Sequence, residues 1–202
     1  MSLKTVLFDM GNVLVFFSHD NMRQQIADAC GVTTEDVMRD VFDSDFQCNF
    51  ERGHMSEREF HQQLETRFER SIDFETLQRA LADIFEPNLE MVSMIQSLKR
   101  QGLRIVLMSN TCVTHVDWIR QQFSVLNDFD DFTLSYEAGA IKPEHPIYES
   151  ALTKIQCAPE ECFYTDDIPE YVAKGREFGL QAEIFTGNAN FVQHLADRGI
   201  HV

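Results

Sequence analysis

The sequence predicts an α/β fold: a doubly wound parallel sheet with a helical insertion after its first strand. From about Asn88 onward, apolar strand patterns alternate with amphipathic helix patterns, which is typical of a parallel sheet with helical crossovers. The stretch from Phe17 to Phe85 differs, because it contains helical patterns and no convincing strand. These observations predict two parts, a sheet domain formed by residues 1–16 and 86–202 and a helical subdomain formed by residues 17–85.

The first strand is predicted within the apolar run from Val6 to Phe17, and its most informative residue is Asp9. Asp9 is the only acidic residue in that run. A buried carboxylate without a partner costs several kcal/mol or gives up its charge. We therefore expect Asp9 to end the first strand and to have a cation beside it.

The insertion that follows is predicted to contain at least four helical segments. One of them, SEREFHQQLETRFER, starts with a capping box formed by Ser56 and Glu59, and apolar residues follow at 60, 64 and 68. Because the insertion comes directly after the first strand, we expect it to lie above the carboxyl end of that strand. Pro87 marks the return to the sheet domain.

The rest of the sheet domain alternates helices and strands. The first helix, NLEMVSMIQSLKRQG, begins with Asn88 as N-cap and ends before Gly102. The later elements are the strand LRIVLMS, a helix to about Gln122, the strand FTLS, the loop YEAGAIKPEH, a helix from about Pro146 to Ile155, the strand CFYTDD, the helix PEYVAKGREFG, the strand QAEIF and a helix from about Asn190 to Asp197. Apolar strands with helical crossovers are buried on both faces of a sheet. The predicted sheet is therefore doubly wound.

Composition argues against several partners. The net charge of -16 weighs against nucleic acid, because phosphate backbones are bound by basic surfaces. We expect no membrane association, since the sequence shows neither a signal-peptide pattern nor about 18 consecutive uncharged apolar residues. Five cysteines without CxxC spacing indicate reduced thiols in a cytoplasmic protein. A monomer or homodimer is the expected state.

Polar residues collect at the predicted strand ends. In chain order they are Asp9, Ser109, Asn110, Lys142 and the pair Asp166–Asp167. Each has an ordinary explanation by itself, for example Asn110 as a helix cap or Lys142 as a solvated loop residue. Open parallel sheets bind ligands beyond the carboxyl ends of their strands, so the set as a whole predicts one active site.

The carboxylates in this set suit phosphoryl transfer assisted by a metal ion. Asp9 is the kind of nucleophile that forms an aspartyl-phosphate. The hard oxygens of Asp9, Asp166 and Asp167 suit Mg²⁺, which draws in phosphate and neutralises its developing charge. We therefore predict Mg²⁺ as the cofactor.

The remaining polar residues suit a bound phosphate. Lys142 would hold the equatorial oxygens, and Ser109 with the backbone near Asn110 would donate hydrogen bonds to them. These groups supply the local positive charge that an anionic substrate needs on an acidic protein. The predicted function is a phosphatase acting on a small phosphorylated metabolite.

The motifs that carry these residues resemble those of the haloacid dehalogenase-like (HAD) superfamily over nearly the whole chain. They are FDMGNVL, LMSNT, the lysine of AIKPEHPIY, and FYTDDIPEYVAKG. The resemblance implies a HAD-like Rossmannoid core, an inserted four-helix cap of type I and a phosphoric monoester hydrolase. FERGHMSEREF and the Asp-x-Gly-Asn-Val motif further resemble a subgroup that contains a bacterial alpha-D-glucose-1-phosphate phosphatase. This likeness favours a sugar phosphate, such as a sugar 1-phosphate, as substrate.

Gly11 departs from the majority pattern of the superfamily. Most of its phosphatases carry a second Asp at this position as general acid and base, whereas Gly11 offers only its backbone carbonyl as a Mg²⁺ ligand. A non-catalytic protein that binds a phosphorylated metabolite is therefore an alternative. A 2-haloacid dehalogenase is a further rival, but dehalogenases of the family have a Ser-Ser-Asn pattern where this chain has Asp166 and Asp167.

Arg52 is a candidate substrate-binding residue in the insertion. It lies in FERGHM, just before a glycine and a capped helix, where a loop could reach the site. A guanidinium there could bind a substrate phosphate or hydroxyl. The alternative is an exposed loop arginine.

Overall fold

Residues 2–202 are described by a computed structural model, and their central feature is a five-stranded parallel sheet. The strands in chain order are β1 (Thr5–Phe8), β2 (Val15–Phe17), β3 (Phe85–Pro87), β4 (Arg104–Ser109), β5 (Asp131–Leu134), β6 (Cys162–Asp166) and β7 (Gln181–Ile184). The sheet has the order β5-β4-β1-β6-β7, and all its neighbouring pairs are parallel. β1 therefore lies at the centre of the sheet.

Helices connect the strands and form the insertion. Those of the insertion are α1 (His19–Cys30), α2 (Thr34–Val37), α3 (Asp45–Glu51), α4 (Glu57–Phe68) and α5 (Phe74–Ala82). Those of the sheet domain are α6 (Leu89–Arg100), α7 (Val113–Gln122), α8 (Ser135–Ala138), α9 (His145–Lys154), α10 (Pro169–Glu177) and α11 (Asn188–Ala196). Across residues 2–202, no helix has the length and apolar character needed to cross a bilayer.

Separate apolar clusters cover the two faces of the sheet. In β1, Val6 and Phe8 belong to one cluster, together with Phe191 of α11. Leu7, between them, belongs to the other cluster, together with Tyr148 of α9. Successive residues of a strand point to opposite faces, so a strand buried on both faces must be apolar throughout. The predicted doubly wound parallel sheet is confirmed.

The insertion has an apolar core of its own, built around stacked phenylalanine rings. Phe60 of α4 stacks on Phe46 and Phe50 of α3, with ring centroids 4.6 and 4.4 Å apart. The described stretch between residues 18 and 84 contains five α-helices, where the resemblance implies four. The short α2 is a single turn that continues into a π-helical turn at Met38–Phe42, which explains the difference.

A two-stranded antiparallel ribbon connects the insertion to the sheet domain. β2 pairs with β3, so that Phe17 lies opposite Phe85. The apolar run from Val6 to Phe17 therefore contains two strands, because β1 ends at Phe8. Sequence patterns miss this pairing since both strands are short and far apart along the chain. The ribbon lies close to both predicted boundaries of the insertion.

Candidate active site

The candidate site lies where three neighbouring strands end. Asp9 directly follows β1, Ser109 ends β4 and Asp166 ends β6. These strands are adjacent and parallel, so their carboxyl ends meet at one edge of the sheet. A cavity of about 230 Å³ lies beyond this edge, and the sheet domain lines it with Asp9, Gly11, Asn12, Asn110, Lys142, Asp167, Ile168 and Tyr171.

Lys142 is the buried cation of the site. Its Nζ donates hydrogen bonds to Asp9 Oδ1 at 2.7 Å and to Asp166 Oδ2 at 2.6 Å, and its side chain is only 1% exposed. The Asn110 side chain holds the lysine backbone from both sides: its Oδ1 accepts from Lys142 N at 2.6 Å, and its Nδ2 donates to Lys142 O at 3.1 Å. Asn110 therefore positions the loop that delivers the amine to the two carboxylates.

Burial and crowding perturb the charges of this cluster. Burial raises the pKa of Asp9 to about 7, Lys142 opposes the shift, and Asp166 adds to it. Burial lowers the pKa of Lys142, but Asp166 and Asp9 outweigh it and hold the pKa above the usual range for lysine. Burial also raises the pKa of Asp167, although Asn12 Nδ2 donates to its Oδ2 at 3.0 Å. One lysine thus leaves negative charge uncompensated, and a second cation would stabilise the ionised carboxylates.

The three carboxylates offer a place for that cation. One oxygen each from Asp9, Asp166 and Asp167 lies within 4.8 Å of the others. Hard carboxylate oxygens are the ligands that Mg²⁺ prefers, and the ion commonly keeps several waters beside one or two carboxylates. The donor set therefore fits Mg²⁺ by both its chemistry and its charge.

The two adjacent acids differ in how many of their oxygens are already engaged. Asp166 Oδ2 accepts from Lys142 Nζ and from the Tyr164 hydroxyl, and its Oδ1 accepts from Ile168 N at 2.9 Å. Asp167 is half-buried and lines the cavity. We therefore expect Asp167 to bind a metal directly, with Asp166 as a ligand or as the group that orients Lys142.

Ser109 lies at the same edge but in a narrower space. It is 1% exposed, its Oγ donates to Asn110 O at 3.3 Å, and it lines a second cavity of about 70 Å³. Gly11 and Phe17 line both cavities. Contact of Ser109 with a bound phosphate remains a prediction.

Phe17 occupies the space beside the glycine of the first motif. A Cβ built on Gly11 would lie 3.0 Å from Phe17 Cε1, which is closer than ordinary contact. The φ of Gly11 is not positive, so its backbone would accept another residue. A second acid at this position would therefore have to displace the aromatic ring of β2.

Arg52 forms an ion pair with the sheet domain, and its contact with a substrate remains a prediction. Its guanidinium is bound by Glu144, with Nε 3.0 Å from Oε1. Beside it, a Cβ on Gly53 would lie 2.2 Å from Tyr136 O, so the insertion and the core are in close backbone contact here. Arg52 is not among the described residues that line the cavity of about 230 Å³. Arg52 thus connects the insertion to the loop that carries Lys142.

Several cavity residues were not predicted from the sequence. The insertion and its ribbon supply Phe17, His19, Gln47 and Glu51. Tyr171 of α10 also faces the site, with its ring centroid 5.1 Å from Lys142 Nζ. For Gln47 and Glu51 the sequence does offer a signal: residues four apart share one face of a helix, so the two polar side chains can be expected to line the same surface.

A parallel sheet with an acidic cluster and a buried lysine at its carboxyl edge, covered by inserted helices, is the framework of a capped hydrolase. The chain belongs to the haloacid dehalogenase-like hydrolase family, whose profile matches residues 3–179. The resemblance stated from the motifs is therefore confirmed, and the chain is a hydrolase of this family.

Known relatives span almost the entire chain. The D-ribitol-5-phosphate phosphatase of Bacteroides thetaiotaomicron is 28% identical over 96% of this chain and 97% of its own. A sesquiterpene phosphatase of Aspergillus oryzae is 25% identical over 89% and 88%. Among solved structures, a HAD family enzyme of Bacteroides thetaiotaomicron superposes with a TM-score of 0.86 at 19% identity, covering 96% and 99% of the two chains. At 19% identity, this structural likeness supports the fold alone.

Proposed function

We propose that this protein is a Mg²⁺-dependent phosphatase that hydrolyses a small phosphorylated metabolite through an aspartyl-phosphate on Asp9. The observation that carries the proposal is the buried Lys142, which contacts both Asp9 and Asp166 at the wall of a cavity of about 230 Å³. Two relatives named as phosphatases support the reaction class.

Asp9 would act as nucleophile in two displacements at phosphorus. Its carboxylate oxygen first bonds to phosphorus while the bond from phosphorus to the ester oxygen breaks, and the released alkoxide takes a proton from water because Gly11 supplies none. Water then attacks phosphorus and breaks the bond to Asp9, which restores the carboxylate and releases phosphate. Lys142 stays protonated and stabilises negative charge on the equatorial oxygens. Mg²⁺ bound by Asp9, Asp167 and the Gly11 carbonyl would supply charge neutralisation and substrate orientation.

The metal requirement can be tested through Asp167. We expect EDTA to abolish phosphate release and Mg²⁺ to restore it, and Asp167→Ala to raise the Mg²⁺ concentration needed for half-maximal rate. The reason is that Asp167 is the half-buried acid that lines the cavity. The measurement is phosphate release during Mg²⁺ titration, with circular dichroism to verify folding. Full activity in EDTA together with hydrolysis of a 2-haloacid would instead identify the dehalogenase.

The missing acid at Gly11 predicts a preference among leaving groups. General acid catalysis contributes about a hundredfold to ten-thousandfold, and strongly basic alkoxides benefit most. We therefore expect p-nitrophenyl phosphate or a sugar 1-phosphate to be hydrolysed faster than a sugar 6-phosphate or glycerol phosphate. The measurement is kcat/KM for the four esters under one Mg²⁺ concentration. A tenfold preference for the primary alkyl esters would mean that another group supplies the proton.

A substrate of the alditol phosphate class is the second candidate. D-ribitol 5-phosphate, which the relative from Bacteroides thetaiotaomicron hydrolyses by its name, is the ester of a primary alcohol. A screen of phosphorylated metabolites with Mg²⁺ separates the two candidates, since it compares sugar 1-phosphates and alditol phosphates directly. Binding of such esters without phosphate release would favour the non-catalytic alternative.

A further inference from the structure

The insertion contributes two polar side chains of one helix to the wall of the cavity. Gln47 and Glu51, one helical turn apart on α3, line the cavities of about 230 and about 70 Å³ alike. Phe46 and Phe50 of the same helix are buried in the core of the insertion. This packing fixes the rotation of α3, so the two polar side chains are held toward the site.

Glu51 has a carboxylate oxygen available to accept a hydrogen bond from a ligand. Gln47 Nε2 donates to its Oε1 at 2.8 Å, which orients the group. Within residues 2–202, no hydrogen bond engages its Oε2. The adjacent Arg52 forms its ion pair with Glu144. Burial raises the pKa of Glu51, whereas the hydrogen bond from Gln47 and the charges of Arg52 and Lys142 oppose this shift.

We propose that Glu51, oriented by Gln47, is a specificity-determining residue that accepts hydrogen bonds from hydroxyls of the substrate's alcohol part. The substrate is then the phosphate ester of an uncharged, polyhydroxylated alcohol. This inference rests on the proposed phosphatase function and deepens it.

The other cavity groups agree with this substrate class. A carboxylate repels a second anionic group, and among the described residues that line the larger cavity Lys142 is the only lysine or arginine. That lysine is already engaged by two aspartates. The rings of Phe17 and Tyr171 also line the cavity and offer apolar surface for the C–H face of a sugar or alditol. Substrates with a carboxylate or a second phosphate are therefore disfavoured.

The test compares two esters that differ in hydroxyls and share a primary alkyl leaving group. With Mg²⁺ present, wild type should prefer ribitol 5-phosphate to propyl phosphate. Glu51→Gln should lower kcat/KM for ribitol 5-phosphate by about tenfold to a hundredfold, mainly through KM, because a bond to a charged acceptor is lost. The kcat/KM of Glu51→Gln for propyl phosphate should differ from that of wild type by less than about threefold. Glu75→Gln, the same charge change at an exposed site of the insertion, should alter neither.

The outcomes separate the role of Glu51 from the proposed function itself. An equal loss of kcat with both esters would show that Glu51 acts on the chemistry of the phosphate, and a change with neither ester would exclude it from the site. If wild type prefers propyl phosphate or phosphoethanolamine, the proposal that the alcohol part of the substrate is uncharged and polyhydroxylated is wrong. If no ester is hydrolysed, the proposed function fails. Calorimetric binding of ribitol 5-phosphate to wild type and Glu51→Gln then still decides the inference.

Discussion

Asp9→Asn is expected to reduce phosphate release to below about 1% of the wild-type rate while the protein stays folded. The amide keeps the shape of the side chain and removes the oxygen anion that attacks phosphorus. The hydrogen bond from Lys142 Nζ to Asp9 Oδ1 can persist, because an amide oxygen also accepts it. Initial rates of p-nitrophenyl phosphate hydrolysis with saturating Mg²⁺ provide the measurement.

The matched control for this substitution is Asp117→Asn, which makes the same change on the exposed face of α7. It should retain the wild-type rate. Circular dichroism and thermal unfolding of both variants show whether any loss of rate reflects loss of structure. An Asp9→Asn rate above a few per cent of wild type, in a protein freed of contaminating phosphatase, would remove Asp9 from the role of nucleophile.

Lys142→Ala is expected to lower kcat by at least about a hundredfold, the effect of losing one donor that stabilises the transition state. The structure adds a consequence for stability. Lys142 is fully buried between Asp9 and Asp166, and removal of one partner of a buried ion pair costs about 3–5 kcal/mol. Metal-free Lys142→Ala should therefore unfold at lower urea concentration than wild type. Mg²⁺ should recover part of this stability, because it would compensate the same carboxylates.

Lys174→Ala on α10 serves as the control, since Lys174 pairs with Glu177 near the surface. It should leave both rate and stability close to wild type. Rates of Lys142→Ala should be measured at Mg²⁺ concentrations where urea titration shows a folded protein. A rate within about threefold of wild type would mean that Lys142 supports the structure and takes no part in phosphate chemistry.

The cap residues show which part of the candidate site sequence reasoning reaches and which part it misses. The sequence favours the segment FERGHM and, within it, Arg52, because a guanidinium binds phosphate. Arg52 lies at the end of α3, where Glu144 of the core binds it, whereas Glu51 lies at the cavity. Adjacent residues of a helix point about 100° apart, so their assignment depends on how the helix is rotated. Contacts of Phe46 and Phe50 within the insertion set that rotation.

The sequence by itself determined the parallel sheet and the set of strand-end residues. Hydrophobic periodicity is a local property, so it identifies each strand from its own residues. The carboxyl ends of parallel strands lie at one edge of the sheet, so residues that follow different strands can be predicted to lie close together. The tertiary structure alone decided what surrounds Asp9. The pairing of β2 with β3 brings Phe17 against Gly11, and the docking of the insertion brings Glu51 over the site. Both depend on contacts between segments far apart in sequence, which leave no periodic signal in either segment.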